Sequence, residues 1–77
     1  MMKEVSLAHL KPGSKARVLD ILGGSSLRSK LMNMGLYSGR EIQKLSHLGL
    51  KGPVVIKAGR TILALGHGIA HKIIVEH

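Results

Sequence analysis

Two short aliphatic runs separated by a single glycine constrain the fold of this chain more than any other feature. Residues 53–58 and 60–65 are dominated by β-branched and other aliphatic side chains, and Gly59 stands between them. β-branched residues favour strands, and a glycine between two such runs is typical of a hairpin turn. Because both runs are apolar almost throughout, we expect neither face of these strands to be largely exposed to solvent. The sequence therefore predicts a small closed barrel rather than a flat, open sheet.

Three further segments have strand character, which gives a mainly β fold of about five strands. They are residues 14–22, 41–48 and 73–76. In the first of them, the alternation of apolar and polar residues slips near Asp20, which indicates a bulge or a strong bend. Residues 11–14 contain a Pro-Gly turn.

A short helix is predicted between the first two of these strand segments. Leu27, Leu31 and Met34 fall at positions i, i+4 and i+7 and form one apolar stripe of a 3.6-residue period. Ser25 or Ser26 is a candidate N-cap, since a serine hydroxyl accepts from free backbone N–H groups of the first turn.

Two glycines follow this helix and indicate sharp changes of chain direction. Gly35 stands just past the last helical turn, where a left-handed conformation is common, and Gly39 supplies a second such point. A second, shorter helix before residue 73 is less certain, because Gly66 and Gly68 weaken it. The sequence thus predicts one or two short helices inserted into the barrel.

The order of these motifs resembles the FeoA family, small cytosolic companions of the bacterial ferrous-iron transporter FeoB. Residues 7–13 read Leu-x-x-Leu-Lys-Pro-Gly, residues 35–39 read Gly-Leu-x-x-Gly after the helix, and residues 52–56 read Gly-Pro-Val-Val-Ile. The resemblance extends from about residue 5 to residue 76. It departs from the family pattern at residues 66–68, Gly-His-Gly, where charged residues are usual. It implies a single SH3-like domain over residues 1–77.

The same resemblance implies a function without catalysis. It makes the chain an interaction or regulatory protein of ferrous-iron uptake, docking on the cytosolic GTP-binding region of FeoB. Two alternatives remain open from the sequence: a small basic β-barrel that binds nucleic acid, and a stand-alone relative of the SH3-like domain of iron-dependent repressors.

The positive net charge is compatible with several classes of partner. The chain has twelve Lys and Arg residues and four acidic residues, which gives a formal net charge of +8. The basic residues are spread along the sequence and do not form a run of consecutive charges. Such a charge attracts nucleic acid, anionic membrane surfaces or acidic protein faces, and a solvated surface is the simpler interpretation. Tyr37 is the only aromatic residue. One tyrosine is a poor platform for stacking bases, which weakens the nucleic-acid alternative.

Catalytic constellations are absent from the sequence, so we expect no enzyme and no cofactor. The four acidic residues are scattered singly, and no cysteine is present to act as a nucleophile, a metal ligand or a disulfide partner. No serine lies in a Gly-x-Ser-x-Gly elbow, and no phosphate-binding loop is complete. No apolar run approaches the roughly 20 residues of a membrane-spanning helix, and we expect a cytoplasmic protein.

The histidines give only a weak indication of a metal site. His67 and His71 are four residues apart and would share one face of a helix, which makes them weak candidates for metal ligands. Without a nearby carboxylate or cysteine the pair is incomplete, and we expect no metal to be held. His9 and His47 appear isolated along the sequence.

We expect the partner-binding surface at the end of the helix and in the loop after residue 47. Apolar residues at these two places would form one patch if the segments are adjacent, and basic residues would edge it, as in many interfaces. The predicted partner-binding residues are Arg28, Met34, Leu36, Tyr37, Arg40, Leu48, Leu50 and Lys51.

Overall fold

A computed structural model of the chain describes residues 2–49 and 51–77. Within these described residues, six strands and two helices follow one another. They are β1 (Glu4–Ser6), β2 (Lys15–Ile21), α1 (Ser25–Asn33), β3 (Glu41–His47), β4 (Val54–Ala58), β5 (Thr61–Leu65), α2 (His67–Ala70) and β6 (Ile73–Glu76).

All six strands belong to one antiparallel sheet in the order β1-β6-β2-β3-β4-β5. The predicted mainly β architecture with short inserted helices is confirmed. The strand count differs from the expected five, because β1 has only three residues and is too short to show an alternating pattern. Its pairing with β6 places it at one edge of the sheet, and β5 forms the other edge. The sheet is therefore not closed by strand pairing, and the prediction that neither strand face of the hairpin is free is wrong for β5, where Ile62 is 63% exposed.

Two irregularities bend the sheet around its core. The pairing of β2 with β6 shifts register between Val18 and Asp20, which confirms the irregularity predicted near Asp20. A second shift occurs in β3, between Lys44 and Ser46. Bulges of this kind increase strand twist and bend, so the strands wrap around one buried cluster. The fully buried members of that cluster include Leu7, Leu31, Leu36, Val54, Ile56, Ala70, Ile73 and Val75.

Helix α1 packs the predicted stripe against this core. Leu31 is fully buried, and Leu27 and Met34 pack on the cluster while remaining partly exposed. The predicted serine cap is wrong: Gly24 occupies the N-cap position, and no side chain caps the helix. Ser25 therefore begins the first helical turn instead of preceding it.

The helix ends in the glycine turn that the sequence predicts. The N–H of Gly35 donates to Met32 O at 2.9 Å, and the N–H of Leu36 donates to Leu31 O at 2.8 Å. This pair of bonds is the Schellman motif, which needs a left-handed residue after the helix. Gly35 supplies it with a φ of 96°. The turn buries Leu36 completely and places Tyr37 at the rim of the barrel.

Helix α2 is a single turn between β5 and β6. Within residues 2–49 and 51–77, no helix has the length and apolar character needed to cross a membrane.

Candidate interaction surface and histidine cleft

Tyr37 is held at the rim of the barrel by a neighbouring arginine. Its side chain is 39% exposed. The hydroxyl oxygen accepts a hydrogen bond from Nη1 of Arg40 at 3.1 Å, and the guanidinium carbon lies 5.7 Å from the ring centroid. A guanidinium at this distance from an aromatic ring is attracted to it. The ring is therefore presented to solvent in a defined orientation.

Arg28 joins helix α1 to the end of strand β2. Its Nε donates to Ile21 O at 3.1 Å, and its Nη2 lies 3.2 Å from Oδ1 of Asp20. Both charged side chains are about half exposed. An ion pair this open to water adds little stability, so its main effect is to orient the arginine.

A shallow depression of about 130 Å³ lies beside Tyr37 and the Arg28–Asp20 contact. Its lining includes Ile21, Leu36, Met32 and Tyr37, with Arg28 at its border. Met32 is 61% exposed and was not among the predicted partner-binding residues. Its exposure could have been predicted from the sequence, because Met32 lies outside the apolar stripe of the helix. We call Arg28, Met32, Tyr37 and Arg40 the helix-rim surface.

The structure corrects several of the predicted partner-binding residues. Leu36 is fully buried and is a core residue, because the Schellman turn carries it under the helix. Met34 is half-buried and packs on the core. Leu48 and Lys51 are exposed in the loop between β3 and β4, as predicted, and Leu50 lies outside the described residues.

The expected single patch is not supported by the placement of its two segments. Tyr37 lines the depression beside helix α1, whereas Gly49 of the β3–β4 loop lines a different cleft. Because Leu50 lies outside the described residues, the adjacency of the two segments stays a prediction.

Lys44 is buried inside the barrel, which corrects its interpretation as part of a solvated basic surface. Only 1% of the residue is exposed. Its Nζ donates to the carbonyl oxygens of Leu7, Ala8 and Leu10 at 3.1, 3.0 and 2.6 Å. Burial lowers the pKa of Lys44, since the charged form is the one that loses hydration. The ammonium thus ties the opening turn of the chain to strand β3.

Strand register brings distant histidines together at the same end of the barrel. His47 pairs with Val54, and Val54 pairs with Leu65, two residues before His67. The opening turn reaches the same place because the N–H of Leu7 donates to Ile73 O at 2.8 Å.

Four of the five histidines line one cleft of about 450 Å³. The ring centroids of His67 and His71 are 4.4 Å apart, those of His9 and His71 5.1 Å, and those of His47 and His67 5.7 Å. We call these four residues the histidine cleft. The expectation that His9 and His47 are isolated is wrong, because strand pairing joins positions that are far apart in sequence.

The ring nitrogens of the cleft differ in their hydrogen-bond partners. Nε2 of His67 lies 3.0 Å from Nε2 of His71, and Nδ1 of His9 lies 2.7 Å from Oγ of Ser6. Among the described residues, Nε2 of His47 and Nδ1 of His67 are buried side-chain atoms without a hydrogen-bond partner.

The protonation of His71 is disfavoured by its surroundings. Desolvation lowers its pKa, and the nearby His67 and His9 lower it further by charge repulsion. Over residues 2–49 and 51–77, no group of three or more His, Cys, Asp or Glu side chains is arranged to hold a metal ion.

Comparison with known proteins identifies the family. The FeoA domain family profile matches residues 5–77. A candidate Fe(2+) transport protein A of Methanocaldococcus jannaschii is 33% identical over 70 residues, which cover 91% of this chain and 83% of the relative.

Solved structures agree with this assignment. The crystal structure of an iron uptake regulatory protein, FeoA, superposes with a TM-score of 0.86 at 38% identity, covering 97% of this chain and 99% of the other. A manganese-dependent transcriptional repressor has the same fold in 42% of its length, with a TM-score of 0.86 at 16% identity and 97% of this chain covered. The chain belongs to the FeoA family.

Proposed function

We propose that this protein is a non-catalytic docking protein of ferrous-iron uptake, which binds the cytosolic GTP-binding region of a FeoB-type transporter from the cytoplasm. The observation that carries the proposal is the family match over residues 5–77, together with a relative whose name refers to Fe(2+) transport. The scattered acidic residues and the lack of cysteine favour a binding role over a catalytic one.

The helix-rim surface supports docking through its mixture of apolar and basic groups. Met32 and Tyr37 are exposed beside a depression whose lining includes the apolar Ile21 and Leu36. Arg28 lines the depression and Arg40 contacts Tyr37, each held by a hydrogen bond. Tyrosine, methionine and arginine are enriched in protein interfaces, and an apolar side chain of a partner could fill the depression.

The net charge of +8 supports a partner near the membrane. Cytoplasmic leaflets are anionic and attract basic proteins, as do acidic protein surfaces close to them. This long-range attraction raises the rate of encounter, while the contacts of the helix-rim surface would provide specificity.

Isothermal titration calorimetry against the cytosolic region of the transporter tests the proposal. The titration is run without nucleotide, with GDP and with a non-hydrolysable GTP analogue, each at low and at moderate salt. We expect saturable binding in at least one nucleotide state. An unrelated GTPase of similar net charge serves as the control and should not bind at moderate salt. Absence of binding in every state at low salt, or equal binding to the control, would contradict the proposal.

A further inference from the structure

We propose that two copies of this protein pair through strand β5, at the edge of the sheet, and form a weak dimer that salt promotes. The two β5 strands run antiparallel about a two-fold axis at Leu63. The proposal is independent of the docking function, because β5 is not part of the helix-rim surface. It rests on the backbone groups and side chains that β5 presents at the free edge.

Strand β5 lacks the features that normally protect an edge strand from pairing with another chain. Protected edge strands are very short, bulged, or interrupted by charged residues or proline. Residues 61–65 read Thr-Ile-Leu-Ala-Leu, and their register with β4 has no shift. The opposite edge, β1, has only three residues, and one of them is the charged Glu4. Of the two edges that the described residues form, β5 is therefore the one suited to pairing.

The hairpin turn determines which backbone groups of β5 point away from the sheet. A two-residue loop at 59–60 joins the paired Ala58 and Thr61. In such a hairpin the residues that flank the loop form a hydrogen-bonded pair, and bonded pairs then alternate along the strands. Alternate residues from Thr61 onward therefore bond to β4, while the N–H and C=O groups of Ile62 and Ala64 point away from it. None of the turn and loop backbone bonds of the described residues uses these outward groups.

One antiparallel register between two copies uses all of these outward groups. With Leu63 facing its own equivalent on the two-fold axis, Ile62 of each copy lies opposite Ala64 of the other. Each of these two pairs exchanges both N–H···O bonds, as hydrogen-bonded pairs of an antiparallel sheet do. A pairing centred on Ile62 instead places Ala64 opposite the charged Arg60, which precedes the strand. The register about Leu63 is therefore the favoured one.

The side chains of β5 are self-complementary in this register. Ile62 is 63% exposed, Ala64 is also exposed, and the two share the outward face because alternate residues of a strand point to the same side. Each Ile62 then packs beside the small Ala64 of the other copy, and apolar cross-strand pairs stabilise a sheet. Leu63 is only partly buried against the core, and its remaining surface faces its equivalent. The pairing covers an exposed apolar side chain in each copy and places no charge between the strands.

Charge repulsion and a small contact area keep this dimer weak. Each copy carries a net charge of +8, and like charges oppose association. Salt reduces this repulsion, since the screening length is about 8 Å at physiological ionic strength. One pair of five-residue strands buries less than about 1,200 Å², which is typical of transient complexes. High salt therefore favours the dimer, whereas it would weaken the docking of a basic protein on an acidic surface.

Analytical ultracentrifugation of the tag-free protein over a range of concentrations, at low and at high salt, tests the proposal. We expect the average mass to rise toward that of a dimer with concentration, and to rise further at high salt. Amide hydrogen exchange measured by NMR locates the contact, because exchange at Ile62 and Ala64 should slow as the dimer forms. The amide of Glu4 is the control. Lys3 and His77 exchange hydrogen bonds, so the N–H of Glu4 points away from β6 at the opposite edge and should not change.

Two lysine substitutions separate edge pairing from a general effect of charge. Ile62→Lys should weaken dimerisation at least about 10-fold, since two-fold symmetry makes the change act at two cross-strand pairs. Leu45→Lys is the matched control, because it adds the same charge at a 38% exposed residue of the interior strand β3. It should weaken dimerisation less than about 3-fold. Thermal unfolding shows whether each variant is folded.

Four results would overturn the proposal. They are a monomer at every concentration and salt, equal losses in the two folded variants, dissociation of the dimer by salt, and slowed amide exchange that excludes Ile62 and Ala64.

Discussion

Nζ of Lys44 lies 3.3 Å from Nδ1 of His47, which connects a buried hydrogen-bond network to the histidine cleft. The same ammonium binds three carbonyl oxygens of the opening turn. One side chain therefore holds the backbone of residues 7–10, which carries His9, and lies beside the ring of His47. The buried core and the histidine cleft are therefore connected through Lys44.

Replacing Lys44 by methionine should destabilise the protein substantially. Methionine has a similar length but cannot donate, so three carbonyl oxygens would lose the ammonium that they now share. Each buried acceptor left without a partner costs about 1–3 kcal/mol, and we expect a total loss of about 2–5 kcal/mol in the free energy of unfolding. Urea denaturation measures it.

Lys57→Met is the matched control, because Lys57 is exposed on the neighbouring strand β4. It should change the free energy of unfolding by less than about 0.5 kcal/mol. Equal stability of the two variants would show that the network around Lys44 contributes nothing.

Gly35→Ala should also destabilise the protein, through backbone strain alone. The φ of Gly35 is 96°, which side chains disfavour, while a Cβ there would meet no atom within 4 Å. We expect a cost of about 1–2 kcal/mol, the usual penalty for a left-handed residue with a side chain.

Gly66→Ala is the control for the glycine prediction. Gly66 has a φ of −60°, and a Cβ there also meets nothing within 4 Å. Alanine should therefore leave stability unchanged or raise it by about 0.4–1 kcal/mol. Chemical denaturation of the two variants should give effects of opposite direction or clearly different size, and similar losses would refute the conformational argument.

Stability should rise with pH on the acidic side of neutrality. The pKa of His71 in the folded protein is lowered from 6.5 by desolvation and by His67 and His9. The unfolded chain then binds more protons than the folded one between the lowered pKa and 6.5, so the free energy of unfolding increases with pH across this window. Lys11 and Lys44 also line the cleft, and their positive charges act in the same direction.

Thermal melting between pH 5 and pH 7.5 measures this dependence without metal. His71→Gln should flatten the rise in melting temperature, whereas His77→Gln should retain it. An unchanged pH profile in His71→Gln would mean that the cleft does not control acid stability.

The features of this fold that depend on residues close together in sequence were predicted correctly. The helix stripe, the left-handed Gly35, the β4–β5 hairpin and the irregularity near Asp20 all follow from residues close together in sequence. The FeoA resemblance correctly predicted the family. Strand β1 was missed because three residues carry no periodicity.

The candidate sites were predicted less well, because they depend on contacts between distant segments. His9 contacts His71 because the opening turn pairs with β6. The positions of the two histidines in the sequence do not predict this contact. Lys44 shares a face with the buried Ile42 two residues earlier, which was a readable signal of burial. Leu36 was predicted to be exposed because the sequence does not show in which direction the chain leaves the turn at Gly35.

We expect the helix-rim surface to dock on the cytosolic region of the transporter. Calorimetry of Tyr37→Ala and Ile62→Ala against that region tests it most directly, since both remove exposed apolar side chains from different parts of the barrel. Both variants should melt close to the parent protein. Tyr37→Ala should weaken binding by about 1–3 kcal/mol, the range of an anchor residue, and Ile62→Ala by less than about 0.5 kcal/mol. Equal affinity of Tyr37→Ala and the parent protein, with both folded, would contradict the account.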